Sequence, residues 1–208
     1  MSTTRVPDHT RSAAEEAIQR ATAALTANNI EVLLVQDGEA ARKKVLELIP
    51  EGAEVHTGKS KTLEDIGLHQ YINDSGRYDA VRSRYMKMDR ATQSGEIRKL
   101  SAAPDFMVGS VQALTESGQL VTASYSGSQV GAFAYGAGRL ILVVGSQKIV
   151  PDLEAGLERM RDHVLPYEDA RLREQMGVGT KAAKILIHSA EGSPGRTTVI
   201  IVREPVGV

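Results

Sequence analysis

Cysteine is absent from the 208 residues of the chain, and tryptophan is absent as well. Without cysteine the chain has no thiolate nucleophile, no disulfide and no cysteine ligand for an iron–sulfur cluster. No apolar run approaches the roughly 18 residues of a membrane span, so we expect no membrane insertion. Acidic and basic side chains nearly balance, with 26 of the first and 25 of the second. This balance gives no electrostatic reason to expect nucleic acid or anionic lipid as a partner.

Metal and nucleotide motifs are missing too. The five histidines have no H-x-x-x-H or H-E-x-x-H spacing, and the chain contains neither G-x-G-x-x-G nor G-x-S-x-G. We therefore expect no metal site and no cofactor, and the missing motifs argue against a hydrolase or a dinucleotide oxidoreductase. Residues 1–10 lack the hydrophobic core of a signal peptide. We expect them to form a flexible tail on a cytoplasmic protein whose residues 11–208 are a single domain.

Strand and helix patterns alternate along the chain. An apolar strand run at Ile30 to Val35 is followed by an amphipathic helix pattern at Gly38 to Ile49 and a short strand at Ala53 to His56. Leu140 to Val144 is a continuous apolar run of the kind buried on both faces of a parallel sheet. The order predicts an α/β fold with a mainly parallel, Rossmann-like sheet and helices on both faces.

The sequence predicts one further element near each end of this domain, a helix at the start and a hairpin at the end. Ser12 and Glu15 have the spacing of a capping box before a first helix. Near the other end, Lys184 to Ser189 and Thr197 to Arg203 are strand runs on either side of the turn cluster at Glu191 to Gly195. This arrangement predicts a C-terminal hairpin at the edge of the sheet.

The segment from Asp105 to Val150 constrains the architecture most. It predicts a strand, a hairpin whose turn is Glu116-Ser117-Gly118, a small-residue helix at Gln129 to Gly138 that follows Gly127, and then the buried strand at Leu140 to Val144. Ligands in open α/β sheets bind outside the carboxyl ends of the strands. We therefore expect the turn, the start of the helix and the end of the last strand to share one rim.

This segment resembles a known family. The run GSVQALTESGQLVTASYSGSQVGAFAYGA at 109–137, followed by LILVVGSQKIV at 140–150, is similar to the LUD domain of bacterial lactate utilisation proteins. That family shows a T-E-x-G turn, an S-x-S/T-G-S-Q loop and a V-V-G-x-Q-K-I-V strand end in this order. Looser similarity extends to residues 58–68 and 165–172. The resemblance implies a fold related to ribose-phosphate isomerases and coenzyme A transferases.

The resemblance implies an accessory component of lactate utilisation. Such a protein would bind a small anionic metabolite, a carboxylate or a phosphate, and act with iron–sulfur partner proteins in lactate oxidation. A related subunit of that system joins a LUD-like segment to cysteine-rich cluster motifs, which this chain lacks. An alternative is a free-standing isomerase or coenzyme A transferase-like enzyme with Glu116 as its catalytic residue. The sequence leaves open whether the chain is an enzyme.

The candidate ligand site combines glycines with hydroxyl, amide and amine groups near predicted strand ends. A glycine-containing loop at Thr57 to Thr62 runs into a helix start, where backbone N–H groups can hold an anion; Thr62 acting only as a helix cap is the alternative. We expect one anion-selective pocket, with Glu116 orienting or deprotonating the ligand. The candidate ligand-binding residues are Gly58, Ser60, Thr62, Thr115, Gly118, Ser126, Gly127, Ser128, Gln129, Gln147 and Lys148.

A basic cluster between Arg77 and Arg90 offers a second candidate site. Asp74, Asp79 and Asp89 interleave with its arginines and lysine. Mixed charges of this kind are typical of a solvated helix face, and we favour that interpretation over a phosphate or nucleic-acid patch.

Overall fold

A computed structural model describes residues 8–208 of the chain. Its α-helices are α1 (Glu15–Ala27), α2 (Gly38–Leu48), α3 (Lys61–Asp65), α4 (Leu68–Asp74), α5 (Val81–Tyr85), α6 (Ser94–Ala102), α7 (Leu153–Arg159) and α8 (Leu165–Met176). Its strands are β1 (Glu31–Val35), β2 (Glu54–Thr57), β3 (Asp79–Ala80), β4 (Phe106–Gly109), β5 (Ala113–Thr115), β6 (Leu120–Ser124), β7 (Arg139–Gly145), β8 (Ile149–Val150), β9 (Lys184–His188) and β10 (Thr197–Val202). Single π-helical turns at Ala132–Gly136 and Met160–Val164 and a 3-10 turn at Ser146–Lys148 complete the described elements. Of the predicted tail at 1–10, residues 1–7 lie outside the described residues.

Six strands form one parallel sheet in the order β1-β10-β7-β4-β2-β3. Every adjacent pair runs parallel. Six of the seven residues of β7 are buried, as a strand covered on both faces requires. The predicted α/β fold with a parallel sheet flanked by helices is confirmed.

The predicted C-terminal edge hairpin is wrong. β9 and β10 lie in different sheets, because β9 pairs antiparallel with β6 while β10 pairs parallel with β1 and β7. The six residues of β10, TTVIIV, are all buried, which suits the middle of a sheet. β9 alternates between exposed and half-buried residues, which suits an edge. The turn between the two strands is thus a crossover from one sheet to the other.

The second sheet has four strands in the order β8-β5-β6-β9. Its centre is the predicted hairpin, in which β5 pairs antiparallel with β6. Gly118 closes that turn with a φ of +84°, a left-handed conformation that glycine adopts without a steric penalty. The hairpin turn is therefore placed as the sequence predicted.

Two hydrophobic cores cover the two faces of the parallel sheet. On one face, α1 and the second sheet pack against alternate residues of β7 and β10, including Leu142 and Ile201. On the other face, α2 and α4 pack against the intervening residues, including Val143 and Ile200. A smaller cluster holds α7 against the outer face of the second sheet. None of the helices in residues 8–208 is long and apolar enough to cross a membrane.

Two local predictions fail. The first helix starts at Glu15 after Ala14, with no side-chain cap, so Ser12 and Glu15 do not form a capping box. The helix predicted at Gln129 to Gly138 is only the π-helical turn at Ala132–Gly136. Glycine destabilises helix interiors by about 1 kcal/mol relative to alanine, and the predicted segment holds three glycines in ten residues. The glycine content therefore outweighs the helical spacing of the apolar residues.

Candidate functional site

A cavity of about 580 Å³ opens at the carboxyl ends of the parallel strands. The loop after β2 forms one wall, and Ser110 and Lys148, which follow β4 and β7, form the inner wall. Residues of the loop after β6 and of the α7–α8 region close the remaining sides. This is the rim at which open α/β sheets bind ligands.

Lys148 is the most deeply buried charged group of the cavity, with 2% of its surface exposed. Its Nζ donates hydrogen bonds to Thr62 Oγ1 at 2.7 Å, to Ser110 Oγ at 3.1 Å and to the Val111 carbonyl at 3.4 Å. No carboxylate of the described residues lies within ion-pair distance of it. A buried ammonium with neutral partners only is costly, so burial shifts the lysine toward its uncharged form.

Burial lowers the pKa of Lys148 to about 7, and the positive charge of Arg159 contributes to that shift. Arg159, at the end of α7, is itself fully buried. Its Nη1 donates to the Gln112 carbonyl at 2.5 Å, whereas Nε and Nη2 have no hydrogen-bond partner among residues 8–208. Burial lowers the pKa of Arg159 to about 10, which leaves it charged at neutral pH. The lysine is therefore held near a second cation that no carboxylate neutralises in the described chain.

The first turn of α3 presents a hydroxyl group to this lysine. Ser60 precedes α3 but makes no side-chain cap, and Thr62 does not act as the cap either. Instead Thr62 Oγ1 lies 3.2 Å from Ser110 Oγ, and both oxygens contact Lys148 Nζ. The predicted alternative, in which Thr62 only caps a helix, does not describe this structure.

Positive charge dominates the cavity wall. Six basic side chains line it, together with one acidic side chain, that of Glu168, and the last residue, Val208. Glu168 is paired with Arg171 at 2.8 Å. The basic residues of the wall are Lys59, Lys61, Arg82, Lys148, Arg171 and Lys181. Lys61 is paired with Asp65, and Arg171 with Glu64 and Glu168. An anion that enters the cavity would therefore meet the uncompensated positive charge of Lys59, Arg82 and Lys181.

His56 and Tyr85 form an aromatic side of the cavity. Their rings meet edge to face with centroids 5.7 Å apart, and Arg82 Nη1 donates to the Tyr85 hydroxyl at 3.0 Å. Burial lowers the pKa of His56 to about 4, and Arg82 contributes. His56 is therefore neutral at pH 7 and adds no charge of its own.

The structure brings part of the predicted site together. The predicted residues that line the cavity come from three separate stretches of chain: Gly58, Ser60, Thr62, Ser126, Ser128, Gln129 and Lys148. Within the loop after β6, the Gly127 and Ser128 amides already donate to the hydroxyls of Ser124 and Ser126. Gly127 turns that loop with a φ of +82° and does not itself line the cavity. The chain there forms a polar wall, not the start of a long helix.

Three predicted residues stay at the β5–β6 turn, away from the cavity wall. Glu116 pairs with Arg20 of α1 at 2.6 Å, and that ion pair lowers the pKa of the Glu116 carboxyl. Thr115 Oγ1 accepts from the Gln119 amide at 2.9 Å, and Gly118 packs so closely on α1 that an added Cβ would lie 3.0 Å from the Leu25 nitrogen. The expectation that Glu116 shares a pocket with Lys148 is not met.

Gln147 holds the chain that follows β10. Its Nε2 donates to the carbonyls of Val206 and Gly207 at 2.9 and 3.3 Å, and its Oε1 accepts from the Val206 amide at 3.3 Å. Gly207 in turn packs on Thr62, where an added Cβ would lie 2.8 Å from the Thr62 nitrogen. Gln147 therefore positions the segment behind Thr62 and does not line the cavity.

Sequence reasoning missed Ser110, Arg82 and Arg159. Ser110 directly follows the strand β4, so the rule that selected Lys148 would also have selected it. Arg82 belongs to the basic cluster assigned to a solvated helix face, and its place in the cavity wall corrects that assignment for this one residue. Elsewhere in the cluster, Arg84 pairs with Glu54 and Asp79 as the assignment expects. No sequence pattern would have selected Arg159, because an arginine at the end of a helix is ordinarily exposed.

Comparisons with known proteins agree with the fold. The LUD domain family matches residues 18–202. A crystal structure of a DUF162 family protein from Deinococcus radiodurans is similar with a TM-score of 0.56 and 13% sequence identity, covering 90% of this chain and 96% of that one. No curated protein matches the chain. At this identity the structural likeness supports the fold alone, whereas the family match spans most of the sequence. The chain therefore belongs to the LUD domain family and is related to lactate utilisation proteins.

Proposed function

We propose that this LUD-domain protein binds a small organic anion in the cavity at the carboxyl ends of the sheet. The observation that carries the proposal is the excess of positive charge on the cavity wall, which has one acidic side chain and three exposed or half-buried cations, Lys59, Arg82 and Lys181, that no ion pair neutralises in the described chain. Lys59 and Arg82 have no carboxylate within ion-pair distance in the described chain, and Glu168 is already paired with Arg171. A carboxylate or phosphate would supply the missing negative charge and accept hydrogen bonds from the wall.

The hydroxyls and amides of the wall suit the same ligand. Ser60, Ser126 and Ser128 offer hydroxyl donors, and the Gln129 amide lies beside Gly58, where an added Cβ would lie 2.7 Å from Gln129 Oε1. The apolar side chains of Met160 and Val164 line the cavity as well. A ligand with an anionic end and a short aliphatic end fits a wall of this mixed composition.

Thermal unfolding in different salts tests the proposal. At equal ionic strength, phosphate, sulfate and L-lactate should each raise the melting temperature more than chloride does, because a ligand that binds only the folded state stabilises it. Arg82→Gln and Lys59→Gln should reduce the difference. Arg98→Gln is the matched control, since Arg98 is exposed on α6 and lies outside the cavity wall. Equal melting temperatures in all four salts would refute the binding site.

The proposal extends to partners. In the cytoplasm, the chain would act beside iron–sulfur proteins of lactate oxidation, because it has no cysteine to hold a cluster. The support for this step is the family to which the chain belongs. The test is L-lactate-dependent reduction of an artificial electron acceptor by the cysteine-rich subunits, measured with and without this chain. We expect the chain to increase this rate, the Arg82→Gln variant to increase it less, and the Arg98→Gln variant to act like the wild type. A rate that does not change when the chain is added would exclude the partnership.

A further inference from the structure

We propose that the side-chain amine of Lys148 is a nucleophile that condenses with the carbonyl group of a small 2-oxo acid held in the cavity, forming an imine. The inference rests on the proposed binding of a small organic anion and specifies its chemical class. Three features of the structure carry it: the surroundings of the amine, the hydroxyl groups beside it, and the presence of both charged and apolar side chains on the cavity wall.

The surroundings of Lys148 favour an uncharged amine. A surface lysine is protonated at neutral pH and has no free lone pair. Lys148 is enclosed, its partners are two hydroxyls and one carbonyl, and the neighbouring cation is Arg159. Desolvation and a nearby cation are the two conditions that activate lysine as a nucleophile. The low pKa of Lys148 agrees with this geometry.

The hydroxyls beside the amine can move the protons that the reaction requires. A hydroxyl both donates and accepts, so Thr62 and Ser110 can bond either to an ammonium or to the lone pair of a neutral amine. Their oxygens are 3.2 Å apart, which makes a continuous path from Lys148 Nζ through two exchangeable protons. Such a pair can take a proton from nitrogen and return one to the carbonyl oxygen.

The reaction is a condensation without an oxidant or reductant. The Lys148 lone pair attacks the carbonyl carbon, a nitrogen–carbon bond forms, and the carbonyl electrons move to oxygen, which receives a proton through Thr62 or Ser110. The carbinolamine then loses its hydroxyl group with one proton as water, and the nitrogen–carbon bond becomes double. One ligand and one amine give one imine and one water.

The cavity selects a carbonyl that is attached to a carboxylate. Lys59, Arg82 and Lys181 are wall cations without a carboxylate partner in residues 8–208, and a carboxylate is the anion that they would hold. Met160 and Val164 provide an apolar surface for a short alkyl group. A 2-oxo acid places its carbonyl next to its carboxylate, so binding of the one group brings the other to the amine.

Reductive trapping tests the inference with pyruvate as the probe. The full chain is incubated with pyruvate and sodium cyanoborohydride, which delivers hydride to the imine carbon and leaves a stable secondary amine. We expect one adduct per chain by intact mass, located on Lys148 by peptide mapping. L-lactate, which has a hydroxyl in place of the carbonyl, should give no adduct. Adduct formation should accelerate about tenfold per pH unit below the pKa of the amine, as the uncharged fraction rises.

Two variants complete the test. Lys148→Met should form no adduct, whereas Lys87→Met, which removes an exposed lysine outside the cavity wall, should still form it on Lys148. The wild-type peptide map decides the question even if Lys148→Met does not fold, because an adduct on any other lysine, or none, overturns the inference. If pyruvate and L-lactate both raise the melting temperature without an adduct, the anion site stands and the nucleophile does not. If neither raises it and no adduct forms, both proposals fail.

Discussion

Lys148 Nζ lies 2.7 Å from Thr62 Oγ1, which joins the turn after β7 to the start of α3 across 86 positions of sequence. Ser110, after β4, contacts both residues. Three strand ends of one sheet are thereby connected through a single buried amine. The protonation state of that amine should therefore influence both the stability of the rim and its chemistry.

The first prediction concerns stability against pH. The pKa of Lys148 is about 7 in the folded chain and near 10.5 when the chain is unfolded. Between these values the unfolded state binds one more proton, so stability should rise with pH from about 7 to 10.5 through this residue. The slope should reach about 1.4 kcal/mol per pH unit. Urea unfolding of wild type and of Lys148→Met over this range measures it, and equal slopes would contradict the prediction.

The second prediction separates Glu116 from the cavity. Glu116→Gln removes the exposed ion pair with Arg20, and exposed pairs contribute little to stability. The melting temperature should change by no more than about 2 °C, and its response to phosphate or L-lactate should be unaltered. A lost response, while Arg20→Gln retains it, would restore Glu116 as a ligand-site residue.

The third prediction compares two glycines: Gly136, the last residue of the π-helical turn at Ala132–Gly136, and Gly131, the residue directly before that turn. An added Cβ at Gly136 would lie 1.8 Å from the Ala102 carbonyl oxygen, whereas at Gly131 nothing lies within 4 Å. Gly136→Ala should cost at least about 2 kcal/mol of unfolding free energy, because backbone must move. Gly131→Ala should be neutral or stabilise by up to about 1 kcal/mol. Denaturant titration of both variants measures the contrast, and similar values would invalidate the packing described for this turn.

The fourth prediction concerns Gln147. Gln147→Leu removes the hydrogen bonds that hold Val206 and Gly207, and each such bond contributes about 1 kcal/mol. Amide hydrogen exchange should quicken in residues 203–208 and at Thr62, while the interior of β7 stays protected. Gln70→Leu, an exposed change on α4, serves as the control. Unchanged exchange at residues 203–208 would argue against the anchoring role.

The sequence predicted those features that depend on local pattern. The apolar run of β7 and the glycine turn between β5 and β6 could be identified because burial on two faces and a positive φ each require particular residue types. β10 is just as apolar, yet its neighbours in the sheet are β1 and β7, both distant in sequence. Periodicity reports which face of a strand is buried and contains no information about which strand lies beside it.

For the candidate site, the sequence predicted the location but not the direction of each side chain. Strand ends converge on one rim, which is why Thr62 and Lys148 could be selected together. Whether a side chain there points into a cavity depends on packing that the sequence does not display. Lys148 is buried among hydroxyls, Gln147 binds the backbone of Val206, and Glu116 pairs with Arg20 of α1. Gln147 and Lys148 are thus adjacent in sequence and have different structural roles.

The position of β10 also bears on how the protein is made. Residues 197–202 form a central strand, so a chain still emerging from the ribosome must present the edges of β1 and β7 without the strand that separates them. Unpaired edges and exposed apolar surface make such intermediates prone to aggregate. Synthesis of this protein therefore passes through an interval in which β1 and β7 are made and the strand that joins them is not. A product that stops before residue 197 cannot close its sheet and should be recognised by proteases as unfinished.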